Sequence, residues 1–214
     1  MNRRTTPIAT AIVAATTLLL TACGGGSDSD DDIKGADKDK SSSPTSSVPS
    51  PTASTKVRDF GLPDDIKVDI AAAKTGDKGK DEILAGQAEV LMARQRLFVD
   101  LDPHSKYLNV YFTGQAKKFY AQQVKDSKKR GKTIAGTYRY YDRKVTQHTS
   151  DLAYVSYCED QTKAFPKDIK TKKVESTTPS SKDYTLYNVV MRKSPGGVWQ
   201  LQSLGGQSSA RECQ

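Results

Sequence analysis

Hydrophobic patterning divides the chain into three regimes. Ile8 to Leu20 is an unbroken uncharged run of 13 residues, within the ~7 to 15 typical of the apolar part of a signal peptide and short of the roughly 20 that a spanning helix needs. From Gly24 to Lys56 apolar residues almost vanish in favour of serine, threonine, proline, glycine and charge. Such a segment cannot bury enough surface to offset its ordering entropy. Beyond Val57 the pattern becomes periodic, and a folded domain is expected over residues 57–214.

Within that domain, Ile66, Val68 and Ile70 alternate with Lys67 and Asp69, which predicts a short edge strand. After a Gly- and Lys-rich stretch, Asp81 to Asp100 reads as a long helix. Its apolar face carries Leu84, Ala88, Leu91 and Phe98, and Pro103 ends it. Tyr107 to Phe112 is a short apolar stretch. Thr113 then stands as the N-cap of a helix through Phe119, Tyr120 and Val124 that runs out in Lys128-Lys129-Arg130 before Gly131. From there β-branched and aromatic residues take over, predicting strands over Thr133 to Thr149, Leu152 to Cys158, Tyr184 to Lys193 and Val198 to Leu204. Phe165 to Ser181 reads as a polar excursion, and Ser194-Pro195-Gly196-Gly197 as a hairpin turn. The two faces of Leu152 to Cys158 both carry apolar residues, so both are expected to be covered. Trp199 and Leu201 are expected in the core. Helices followed by antiparallel strands argue for an α+β fold, with helices packed on one face of a curved antiparallel sheet.

The charged and small residues around the first apolar run change the picture. Arg3 and Arg4 precede it, and Leu20-Thr21-Ala22-Cys23 follows. This leader resembles a bacterial lipoprotein signal, with Leu-Thr-Ala-Cys as its lipobox. The resemblance implies cleavage after residue 22, a diacylglyceryl group on the Cys23 sulfur, and attachment to the extracytoplasmic face of the cell membrane. The paired arginines also raise twin-arginine export, although Thr5-Thr6-Pro7 lacks the apolar residues that usually follow. Residues 1–22 are then the signal peptide, and 23–56 the lipidated cysteine with a disordered tether. Cysteine arithmetic agrees. Of three cysteines, an exported chain that spends Cys23 on lipid keeps Cys158 and Cys213 as an even pair, expected as a disulfide.

In the tether, Asp28, Asp30 and Asp32 alternate as in a calcium loop, but Ile33 occupies the position that needs glycine and Asp39 the position of the bidentate glutamate. The segment is read as solvated chain, and no metal site or cofactor is expected. Six of the 33 Lys and Arg and six of the 25 Asp and Glu precede Val57, so the domain carries the whole net charge of +8. For an exported chain, anionic lipid headgroups and envelope polymers are nearer partners than nucleic acid.

The order of elements, with Gly197-Val198-Trp199-Gln200-Leu201, resembles the nuclear-transport-factor-2-like, cystatin-like cone. Tyr157-Cys158-Glu159-Asp160-Gln161 and the late cysteine also resemble actinobacterial lipoproteins of uncharacterised function. The cone resemblance implies a pocket between sheet and helices, used for catalysis in some members and for binding in others. Asp142, Glu159 and Asp160 are the candidate acids, while Tyr138, Tyr140, Tyr154 and Tyr157 could donate hydrogen bonds to a ligand or partner. His104 and His148 read as surface residues. No nucleophile elbow, P-loop or metal-ligand spacing occurs. Two readings stand. One is a non-catalytic module binding a small apolar ligand, an anionic envelope polymer or an envelope protein. The other is an enzyme using a pocket carboxylate and tyrosine on a small apolar substrate.

Overall fold

The computed structural model describes residues 57–214; Cys23, the leader, the tether and its acidic run lie outside the described residues. Strand β1 (Ile66–Ile70) leads to helix α1 (Lys78–Asp100), a short helix α2 (Lys106–Tyr111) and helix α3 (Gly114–Lys129). Four strands follow: β2 (Lys132–His148), β3 (Leu152–Asp168), β4 (Tyr184–Lys193) and β5 (Trp199–Ser208). They form one five-stranded sheet in the order β1-β2-β3-β4-β5. The fold is α+β, as expected. β2 to β5 pair antiparallel, while β1 joins the edge parallel to β2, with Ile66 opposite Gly136 and Ile70 opposite Tyr140. The sheet is therefore mixed. Irregularities between Thr137 and Arg139, Tyr141 and Lys144, and Val145 and Gln147 bend β2.

Local chemistry sets the helix limits. α1 starts three residues before the expected Asp81, because the Asp77 carboxylate accepts from the Lys80 N–H at 3.0 Å and caps the Gly- and Lys-rich stretch. Its end is closed by Leu101 in the left-handed region, just before Pro103. The stretch Tyr107 to Phe112 supplies α2, capped by Ser105. Thr113 does occupy the N-cap position of α3, though without a side-chain cap bond.

β3 departs most from expectation. It continues ten residues past Cys158, because the first half of β2 needs a partner: Lys132 to Tyr140 pair with Glu159 to Asp168. Pro166 is tolerated there since β4 stops pairing at Asp160, and along that edge of β3 the segment Lys173 to Glu175 bonds to the Asp168 N–H and the Pro166 carbonyl, asking nothing of the proline nitrogen. The polar excursion therefore begins only after Asp168. β5 likewise runs on past Leu204 to Ser208.

The core lies between the helices and one face of the sheet. Leu84, Ala88, Leu91 and Leu97 of α1 meet Tyr138, Tyr140, Val155, Tyr157, Val189 and Met191, with Trp199 and Leu201 buried as expected. α1 comes so close to β5 that a Cβ on Gly86 would meet the Trp199 Cβ at 2.6 Å. The opposite face of β3 is covered only in part. Cys158 is buried beneath Ala210 and Cys213, whereas Tyr154 is 43% exposed. Cys158 and Cys213 are disulfide-bonded, with Cα atoms 5.5 Å apart.

Candidate functional site

An ionic cluster lies inside the apolar core. Strands β2 and β3 pair Tyr140 with Glu159, and both side chains turn toward α1. The Tyr140 hydroxyl donates to Glu159 Oε1 at 2.8 Å and accepts from Arg94 Nη1 at 2.7 Å and from Gln95 Nε2. Arg94 also donates directly to Glu159 Oε1. Glu159 is 0% exposed, and the Arg94 side chain 13%. Glu159 Oε2 closes no hydrogen bond. Burial above all, with a contribution from Glu159, pushes the Tyr140, Tyr157 and Tyr187 phenols above their ordinary range, and Tyr138 up to about 12. Burial is the largest single influence on Arg94 and opposes its charge, but Glu159 together with Tyr140, Tyr120 and Tyr187 holds the guanidinium above its usual value.

A second buried cation fastens the layers beside this cluster. Arg143, in the β2 bulge after Asp142, donates to Gln87 Oε1 at 2.8 Å, to the Ala71 carbonyl at 3.2 Å and to the Leu84 carbonyl. It thereby ties β2 to α1 and to the end of β1. Desolvation lowers it to about 10.

The sequence-derived candidates separate into groups. Tyr140 and Glu159 meet directly, and Tyr157 packs against Tyr140 with ring centroids 6.1 Å apart. Tyr138 is buried on the same side. Asp160 points the other way, toward Arg139 at 3.5 Å, and Tyr154 stands exposed on the outer face. Asp142 is exposed with a positive φ, and His104 and His148 are exposed. Arg94, Gln95, Gln87 and Arg143 were not singled out from the sequence. The signal available was a break in the apolar stripe of α1, where Arg94 and Gln95 fall between Leu91 and Phe98.

Two clefts border the cluster without reaching its carboxylate. One, of about 550 Å³, lies on the outer side between Ala71–Ala73, Arg139, Tyr141, Tyr184 and the C-terminus. The other, of about 370 Å³, opens between α1, α3 and the long hairpin of β2 and β3, past Arg94, Phe98, Arg130, Ile134, Tyr138 and Phe165. Tyr140 reaches the first only as wall, being 1% exposed, and Glu159 lines neither. A general base must come within hydrogen-bond reach of the proton it takes. Here the Glu159 oxygen that makes hydrogen bonds is occupied by Arg94 and Tyr140. Among the described residues, no three His, Cys, Asp or Glu side chains gather as metal ligands.

No protein-family model matches the sequence, and no curated protein matches it. Among solved structures, a ketosteroid isomerase-like protein from Erwinia carotovora atroseptica is similar over 63% of this chain and 98% of its own, at 19% identity and a TM-score of 0.42. A cystatin-like domain of unknown function from Nostoc punctiforme matches over 64% of this chain and 79% of its own, at 14% identity and a TM-score of 0.39. A putative aromatic ring hydroxylase from Novosphingobium aromaticivorans matches over 59% and 94%, at 12% identity and a TM-score of 0.40.

Proposed function

We propose that the protein is a membrane-anchored extracytoplasmic lipoprotein whose domain is a non-catalytic binding or interaction module. The observation that carries the second half is the closed state of Glu159: a carboxylate without solvent contact, neutralised by Arg94 and bonded by Tyr140. Such a pair organises a core, since a charge this deep persists only when partnered. Support for the first half comes from the leader pattern and from cysteine use. With Cys158 and Cys213 joined, Cys23 is the remaining cysteine of three. The proposed partner is a component of the cell envelope. The enzyme reading draws on the 2.8 Å contact between Tyr140 and Glu159 and requires the interior to admit a substrate.

Two measurements test this. Cys23→Ala is expected to abolish fatty-acid labelling and move the protein from the membrane to the soluble fraction; unchanged membrane retention refutes the anchor. Titration with a neutral apolar dye such as Nile red is expected to leave the NMR resonances of Tyr140 and Glu159 unmoved. Shifts at both residues would instead favour the catalytic alternative.

A further inference from the structure

The chain places two basic clusters, some 40 residues apart in sequence, at one end of the domain. Lys128, Lys129 and Arg130 finish α3, and Lys170, Lys172 and Lys173 lie in the turn after β3. A backbone bond joins these segments, as the Ile169 N–H donates to the Gly131 carbonyl at 3.0 Å. All six cations are exposed, and among the described residues none of them forms an ion pair. The neighbouring carboxylates of Asp168 and Glu175 are taken up by Lys132, and that of Asp65 by Lys167. They therefore offset other cations.

The turn that carries the three lysines is built rather than loose. Asp168 accepts from the backbone N–H groups of Lys170 at 3.0 Å and Thr171 at 2.9 Å, and from the Thr171 hydroxyl at 3.1 Å. Its own N–H donates to the Lys173 carbonyl at 2.9 Å, and the Lys172 N–H donates back to the Asp168 carbonyl. Beside these cations opens the cleft of about 370 Å³, with Arg130 and Lys132 on one wall and Phe98, Ile134 and Phe165 on others. A soluble polyanion would use the charges and leave the apolar walls unsatisfied. A lipid offers both an anionic headgroup and hydrocarbon.

We propose that this basic end, formed by the last turn of α3 and the turn after β3, docks on an anionic lipid surface, with the adjoining cleft receiving apolar parts of the lipid. The proposal deepens the envelope reading but does not depend on Cys23, so its failure and that of the anchor are separable. Each lysine near an anionic surface strengthens binding about fivefold, and salt screens the attraction.

The test uses residues 24–214, which lack the leader and Cys23 and retain the whole described fold. This chain is expected to float with vesicles of phosphatidylcholine and phosphatidylglycerol at low salt, to ignore phosphatidylcholine alone, and to release at high salt. A variant carrying K128E, K129E, K170E, K172E and K173E is expected to lose about 100-fold or more in affinity. A control with K67E, K74E, K78E, K118E and K144E, which changes the net charge equally, is expected to bind far better than that variant. Should the five-site variant fail to fold, the pair K170E/K172E on the exposed turn still lowers binding while leaving the melting transition in place. Absence of vesicle binding at low salt, or equal losses in patch and control variants, overturns the proposal. So does retention of a soluble polyglycerol phosphate by a chain that ignores vesicles, an outcome that assigns the surface to an envelope polymer.

Discussion

Glu159 sits inside the core against Arg94, and removing either partner leaves the other buried without its counterpart. Breaking a buried pair from one side costs about 3–5 kcal/mol, since an uncompensated charge remains, whereas replacing both partners with apolar residues of similar size is often close to neutral. Arg94→Met is therefore expected to lower the unfolding free energy by about 3 kcal/mol or more. The double variant Arg94→Met/Glu159→Met is expected to recover most of that loss. Urea denaturation of the two singles and the double provides the cycle. A loss below about 1 kcal/mol for Arg94→Met would place the pair among solvated surface pairs and contradict its burial. At this scale the sequence was partly legible. Tyr140 stood out as a strand tyrosine and Glu159 as a candidate acid just past the expected end of its strand at Cys158, but their contact depends on the register of β2 against β3, which no local pattern encodes. Arg94 escaped because an arginine on a long helix reads as solvent-facing until the helix is packed.

At the scale of elements, local rules were most reliable where one element satisfied its own backbone. The long helix, the Thr113 start and the Ser194–Gly197 hairpin were legible from caps, breakers and periodicity. The second half of β3 was not, because Lys163, Pro166 and Lys167 resemble loop residues until β2 presents an edge that must be paired. α2 is too short for a period to emerge. The turn beyond β3 yields an element-scale prediction. Its Asp168 carboxyl is held at about 2, chiefly by the Thr171 backbone N–H, then by the Thr171 hydroxyl and Lys132. Because the folded value lies below the ordinary one near 3.9, the turn's contribution to stability is complete above about pH 4 and is lost as pH falls toward about 2. The Thr171 amide resonance should report this with a midpoint near the folded value. A midpoint at the ordinary carboxylate position would mean that the turn is not held by Asp168, and the ordered presentation of Lys170, Lys172 and Lys173 would lose its basis.

At the scale of the whole molecule, the described residues form one core under the helices and a smaller one on the far side of the sheet, where Ala210 and the disulfide-bonded Cys158 and Cys213 gather with Tyr141, Tyr184 and Leu186. The C-terminal tail is held to the sheet by the disulfide, by a hydrogen bond from the Tyr141 hydroxyl to the Cys213 carbonyl and by one from the Ala210 N–H to the Tyr184 carbonyl. The bond spans 55 residues of sequence, and loop-closure entropy puts its contribution at about 4 kcal/mol, with residual structure in the unfolded chain reducing that figure. The second core is small enough to depend on the bond, while the main core contains no cysteine. The double variant Cys158→Ala/Cys213→Ala is thus expected to melt at lower temperature and to lose amide-exchange protection first over residues 208–214, with α1 still protected. Its tail would also leave the 550 Å³ cleft that Cys213 and Gln214 help to wall. Equal protection across the tail in the oxidised protein and the double variant would show that packing alone holds the terminus, and two alkylatable thiols in the unreduced native protein would remove the bond itself.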